Sequence, residues 1–138
     1  MHSQPVIALI KKHEGFRAKP YLDSVGKLTI GYGRNLTDNG ISRYEAEEML
    51  AADVQNCYAD CARLPGWNTL SPARQAVLLD MCYNLGIIRL KSFHKMWAAL
   101  ALADYAAAAR EMLDSRWARQ VNTRAVELAE IMKTGEIK

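Results

Sequence analysis

The stretch HEGFRAKPYLDSVGKLTIGYG, residues 13 to 33, is where the pattern of the chain changes. Before it, Val6, Leu9, Ile10 and His13 fall on one helical stripe behind Ser3 and Pro5, which suit a helix start, and Glu14-Gly15 reads as its end. Within it, Tyr21-Leu22-Asp23, a turn around Ser24-Val25-Gly26-Lys27, and Leu28-Thr29-Ile30-Gly31-Tyr32 read as a β-hairpin. β-Branched and aromatic residues flank a glycine-containing turn there, a signal that no other part of the chain carries as well.

Past Gly40 every segment reads helical. Ser42 with Glu45, and Ser71 with Pro72 and Gln75, are expected as capping-box starts. Leu64-Pro65-Gly66 separates those two helices and Asn84-Leu85-Gly86 ends the second. Further start signals stand at Ser92, Asp104, Ser115 and Asn122 or Thr123, with a stop at Gly135. The expected class is α+β: one domain over residues 1–138, with a hairpin lobe over about 15–40 and a helical body over about 42–138 that includes the N-terminal helix. A cleft is expected where sheet meets helices, and clefts are where ligands bind.

Composition narrows the function. The 138 residues are 50% hydrophobic and 24% charged, with 8 Gly and 4 Pro, which excludes collagen-like, low-complexity and disordered classes. The longest apolar runs, Val6–Ile10 and Met96–Ala103, fall far short of a bilayer span, so no membrane anchor is expected. Lys11 and Lys12 follow the first apolar run, the reverse of a secretory signal's order, and no export signal is expected. Cys57 and Cys61 sit four apart, an awkward separation for a disulfide on a helix, and with Cys82 they read as reduced thiols made in a cytoplasm. The net charge of +3 is distributed as +3 over 1–40, −3 over 41–84 and +3 over 85–138. That spread lacks the concentrated basic stripe of tight phosphate binding, so nucleic acid is not expected as a partner.

His2, His13 and His94 show no metal-ligand spacing, and no cysteine pair is spaced like a zinc site. No serine lies in a G-x-S-x-G elbow, and the glycines form no phosphate or dinucleotide fingerprint. Neither metal nor organic cofactor is expected. What remains is a carboxylate pair in unlike settings. Glu14 stands at a helix-to-strand transition beside Phe16, where partial shielding favours the protonated form that a general acid needs. Asp23 stands near a turn, where water keeps it ionised. Such a pair is the usual equipment for splitting an acetal, one carboxyl protonating the leaving oxygen while the other supports the oxocarbenium-like centre or activates water. Thr29, across the turn, offers a hydroxyl to hold that water.

The residues Glu14-Gly15-Phe16-Arg17, then Tyr21, Asp23, Gly26 and Thr29-Ile30-Gly31-Tyr32-Gly33, resemble the catalytic signature of the phage-type lysozymes, or endolysins. The resemblance runs on through Gly40-Ile41-Ser42, Ala73-Arg74-Gln75-Ala76 to Asn84-Leu85-Gly86, Ser92-Phe93, Ser115-Arg116-Trp117, Gln120, Arg124-Ala125 and Thr134-Gly135, and so covers nearly the whole chain. It implies Glu14 as general acid, Asp23 as partner carboxylate and Thr29 as water-positioning residue, acting on the β-1,4 bond between N-acetylmuramic acid and N-acetylglucosamine of bacterial peptidoglycan. It also implies Gly33, Tyr83 and Asn84 as substrate-binding residues and Arg124 as the partner of the acid across the lobes.

Two departures stand out. Between Gly33 and Ser42 the chain is shorter than in T-even phage lysozymes, and Arg34 stands where the family often has His, open to a role on peptide-stem carboxylates. The expected activity is a muramidase that works as a monomer in host lysis, held in the host cytoplasm until a membrane-pore protein releases it to the wall. A lytic transglycosylase would need only the acid, and a non-catalytic wall-binding or tail module would need none of the three.

Overall fold

A glycine marks the junction between helix and sheet. The computed structural model describes residues 4–138, so Ser3 and His2 lie outside the described residues. Helix α1, Gln4–Glu14, ends where Gly15, at φ +70°, donates its N–H to Lys11 O and turns the chain into the sheet. A positive φ there costs glycine little, because it has no Cβ to meet the carbonyl.

Residues fall into two contact units, the first ending at Glu48 and the second beginning at Met49. In the first, strands β1 (Arg17–Leu22), β2 (Leu28–Gly31) and β3 (Arg34–Asn35) form an antiparallel sheet in that order. The β1–β2 hairpin pairs Tyr21 with Thr29 and Leu22 with Leu28, as the sequence leads one to expect. The ladder is irregular between Arg17 and Tyr21, where Pro20 has no N–H to give. Strand β3 and the single turn α2, Leu36–Asn39, were not expected, being too short to leave a period. Polar groups hold them instead: Asn35 Oδ1 accepts from Asp38 N at 3.0 Å, and Thr37 Oγ1 accepts from Leu28 N at 2.8 Å.

Helix α3, Arg43–Cys61, starts with the expected capping box, Ser42 N donating to Glu45 Oε1 at 2.9 Å and Glu45 N to Ser42 Oγ at 3.1 Å. Arg34 adds a clasp from the sheet, donating through both Nη atoms to the Glu45 carboxylate and through Nη1 to Gly40 O. The guanidinium holds the Glu45 carboxyl down to about 2, so the clasp persists at ordinary pH and opens only as pH falls from the usual carboxylate range through that value. Arg34 is thereby committed to the fold. The role on peptide-stem carboxylates that the sequence left open for it meets a bidentate partner eleven residues along the chain.

The second unit holds the core. It contains a 3-10 turn at Trp67–Thr69 and helices α4 (Pro72–Leu85), α5 (Ile87–Lys91), α6 (His94–Ala101), α7 (Tyr105–Leu113), α8 (Arg116–Val121) and α9 (Thr123–Thr134). Leu78 and Met81 of α4 are fully buried with Leu90, Met96, Met112 and Met132. Each such side chain contributes about 1.5–3 kcal/mol on burial. The alanine-rich stretch of α7 finds its partner here: α7 and α9 form the most extensive helix pair, with Ala108 and Ala109 of one and Ala125 and Ala129 of the other buried. Cys57, Cys61 and Cys82 are free thiols, and burial pushes Cys57 and Cys82 up to about 11, which keeps them protonated and unreactive at neutral pH. No helix among the described residues is long and apolar enough to cross a membrane.

Two expected helix starts are corrected. Ser71 does cap α4, accepting from Arg74 N, but Gln75 lies four residues on rather than three and donates to Trp67 O instead. Ser92 closes α5, its hydroxyl donating to Arg89 O, and α6 starts at His94 with no side-chain cap. Asp104 and Ser115 cap α7 and α8 as expected.

Arg74 locks the C-terminal end of α9. Its Nε donates to Met132 O at 2.7 Å and its Nη2 to Lys133 O at 3.1 Å, carbonyls that have no partner inside their own helix. The guanidinium also stacks 3.5 Å from the Tyr105 ring centroid, and Gly135 leaves room for it. Arg74→Ala is expected to lower unfolding free energy by about 2–3 kcal/mol, read as a shift in denaturant midpoint. An unchanged midpoint would remove this lock from the account.

Candidate active site

The first unit carries four of the seven expected residues: Asp23, Thr29 and Gly33 about its sheet and Glu14 at the end of α1. Asp23 lies just beyond β1. Its Oδ1 accepts from Val25 N at 2.9 Å and from Lys27 N at 2.8 Å, while its own N–H donates to Lys27 O at 2.9 Å. One carboxylate oxygen therefore builds the turn, and Oδ2 takes no hydrogen bond from the described residues. Thr29, 3% exposed, is the buried polar residue of the described chain, and its Oγ1 donates to Lys27 O at 2.9 Å. Donation fixes the hydroxyl hydrogen and leaves the oxygen's lone pairs as acceptors. Tyr21 pairs with Thr29 across the strands, and Asp23 with Lys27, so alternation puts Asp23 and Thr29 on one face as diagonal neighbours. Lys27 is the shared anchor, and nothing in the sequence reading pointed to it.

Glu14 approaches from the end of α1. Its carboxyl rests against Gly33, in the turn between β2 and β3: a Cβ built on Gly33 would lie 2.8 Å from both Cδ and Oε2 of Glu14 and 3.2 Å from Oε1. Tyr32, beside Gly33, stacks at 5.5 Å from Phe16 with the Lys11 ammonium 5.3 Å above its ring. The Glu-Gly-Phe-Arg and Gly-Tyr-Gly pieces of the signature thus meet in space. The partial shielding expected for Glu14 does not appear as burial, since residue and neighbouring Phe16 are both exposed.

The second unit carries the other three. Tyr83 is 48% exposed near the end of α4, and Asn84 beside it accepts from Trp117 Nε1 through Oδ1 at 2.7 Å. Indole nitrogen only donates, so the amide oxygen must face it and the NH2 is left as a donor. Arg124 of α9 meets Asp80 of α4, through Nε at 2.8 Å and Nη2 at 2.7 Å. Sequence reading missed Asp80 as a partner, though a single acid between the core residues Val77-Leu78 and Met81-Cys82 is a signal for one. In the same unit Phe93 and Trp117 line a groove of about 660 Å³ with Arg89, Lys95, Glu111 and Arg116 at its edges. Among the described residues no group of three His, Cys, Asp or Glu side chains is placed to hold a metal ion.

The first unit thus sets two carboxyls and a buried hydroxyl about a small antiparallel sheet, in a chain of mostly helical α+β class. The chain matches the phage lysozyme family over residues 11–130 and belongs to that family. It is 24% identical to a probable T4-type lysozyme 2 of Dictyostelium discoideum, with 94% of each chain covered. It is 27% identical to an endolysin of Acyrthosiphon pisum secondary endosymbiont phage 1, over 96% of this chain and 92% of that one. It is also 25% identical to the pre-baseplate central spike protein Gp5 of Enterobacteria phage T4, over 94% of this chain, and there it spans only 28% of the relative.

Proposed function

We propose that the chain is a muramidase, hydrolysing the β-1,4 bond between N-acetylmuramic acid and N-acetylglucosamine in bacterial peptidoglycan, with residues 1–138 acting as one catalytic domain. The observation that carries this is the double tie of Asp23 and Thr29 to Lys27, in the same unit as Glu14. In this reading Glu14 donates its proton to the glycosidic oxygen. The free oxygen of Asp23 faces the developing positive charge at the anomeric carbon or takes a proton from water. Thr29, its hydrogen held by Lys27 O, accepts a hydrogen bond from that water and fixes its approach. The Asn84 NH2 and Tyr83 ring bind sugar, and the groove beside Trp117, with cations and Glu111 on its rim, suits a peptide stem bearing carboxylates and an amine. Arg124 is held by Asp80 within the second unit.

The endolysin relative supports a setting in phage lysis. The protein acts in phage lysis as a monomer, accumulating in the host cytoplasm until a membrane-pore protein gives it access to the wall. A second reading has its own observation, the match to part of a phage spike protein, and makes the chain a wall-binding tail module. Turbidity of permeabilised Gram-negative cells separates the two. Clearing by the purified chain is expected, and binding to the cells without clearing would transfer the assignment to the module.

A further inference from the structure

We infer that Gly33 is a positioning residue for the acid rather than a sugar contact: its bare Cα is the seat on which the Glu14 carboxyl is held for proton transfer. The inference rests on the reading of Glu14 as proton donor. Five glycines of the first unit adopt positive φ, and a Cβ on Gly15, Gly26, Gly31 or Gly40 would meet nothing within 4 Å. At Gly33 alone it would run into a side chain, and that side chain is Glu14, approached through its carboxyl carbon and both oxygens. The φ of +80° at Gly33 satisfies the turn, but a turn makes no demand on the space beyond its Cα. The demand comes from the acid.

Which partner gives way is decided by how each is held. Gly33 sits between Ile30, paired with Arg34, and Arg34 itself, whose guanidinium is fixed to Glu45 and Gly40 O. Glu14 stands at the last position of α1, and its carboxyl is the free end of a rotatable side chain. A methyl at Gly33 therefore moves the carboxyl and not the turn. Displacement of about 1 Å at a proton-transfer group is enough to cost about a hundredfold in rate.

Gly33→Ala and Gly31→Ala are compared with the unsubstituted chain on soluble peptidoglycan fragments. Gly31, the last residue of β2, also has a positive φ, at +68°, but has open space beyond its Cα, so its variant reports backbone strain alone. The expected result for Gly33→Ala is kcat lower by about a hundredfold with KM within about twofold, and a much smaller loss for Gly31→Ala. The 13C resonance of the Glu14 carboxyl is expected to move in Gly33→Ala only. A raised KM with kcat kept would make Gly33 a sugar contact. Equal losses in both variants, or an unmoved Glu14 resonance, would likewise overturn the inference. If the unsubstituted chain fails to cleave, the muramidase reading falls, while the resonance comparison still decides where the carboxyl sits.

Discussion

Glu14→Gln is expected to reduce lytic rate by at least about a thousandfold while leaving the unfolding transition in place. The amide keeps the shape of the side chain against Gly33 and removes the carboxylic acid that this reading uses as proton donor. Asp23 does not take over the role, because one of its oxygens is engaged by two backbone N–H groups. Folding is spared because Glu14 is exposed and its side chain makes no hydrogen bond among the described residues. Clearing at near-normal rate by a folded Glu14→Gln chain would remove Glu14 as the acid.

Asp23→Asn is expected to cost about a hundredfold in rate, and Asp23→Ala more, for separable reasons. Asparagine keeps an oxygen to accept from Val25 N and Lys27 N, so the turn survives and only the charge is lost. Alanine leaves both N–H groups without that acceptor, at about 1 kcal/mol each, and releases Lys27 from one of its ties. Rate and thermal midpoint measured together distinguish them: Asn lowers rate alone, Ala lowers both. If Asn retained full rate, the ionised carboxylate would have no part in the chemistry.

The hairpin and most of the helices were legible because their signals are local. A turn glycine between β-branched strands, a Ser three residues before a Glu, and Asp104 or Ser115 ahead of a helical period each need only a few neighbours in sequence. What escaped was set by space. Strand β3 and α2 are too short for any periodicity to mark them, and although Asn35 caps α2 locally, Thr37 accepts from Leu28 N, a group brought close only once the sheet forms. Ser92 read as a start because its hydroxyl suits either helix end, and the fold used it on Arg89 O. Of the candidate site, Glu14, Asp23 and Thr29 could be named from residue type and setting, and their roles from resemblance. That Lys27 ties two of them together, that Gly33 abuts the third, and that Arg34 goes to Glu45 depend on register and approach, which one sequence does not encode in any short window.

The central claim is hydrolysis in which Asp23 and Thr29 bring water to a sugar that Glu14 has activated. Its most direct test is mass spectrometry of the fragments released from purified peptidoglycan. Products ending in reducible N-acetylmuramic acid, one water heavier than the ring-closed form, are the predicted result. Anhydro-muropeptides as the main product would mean that water takes no part, and would contradict the roles given to Asp23 and Thr29.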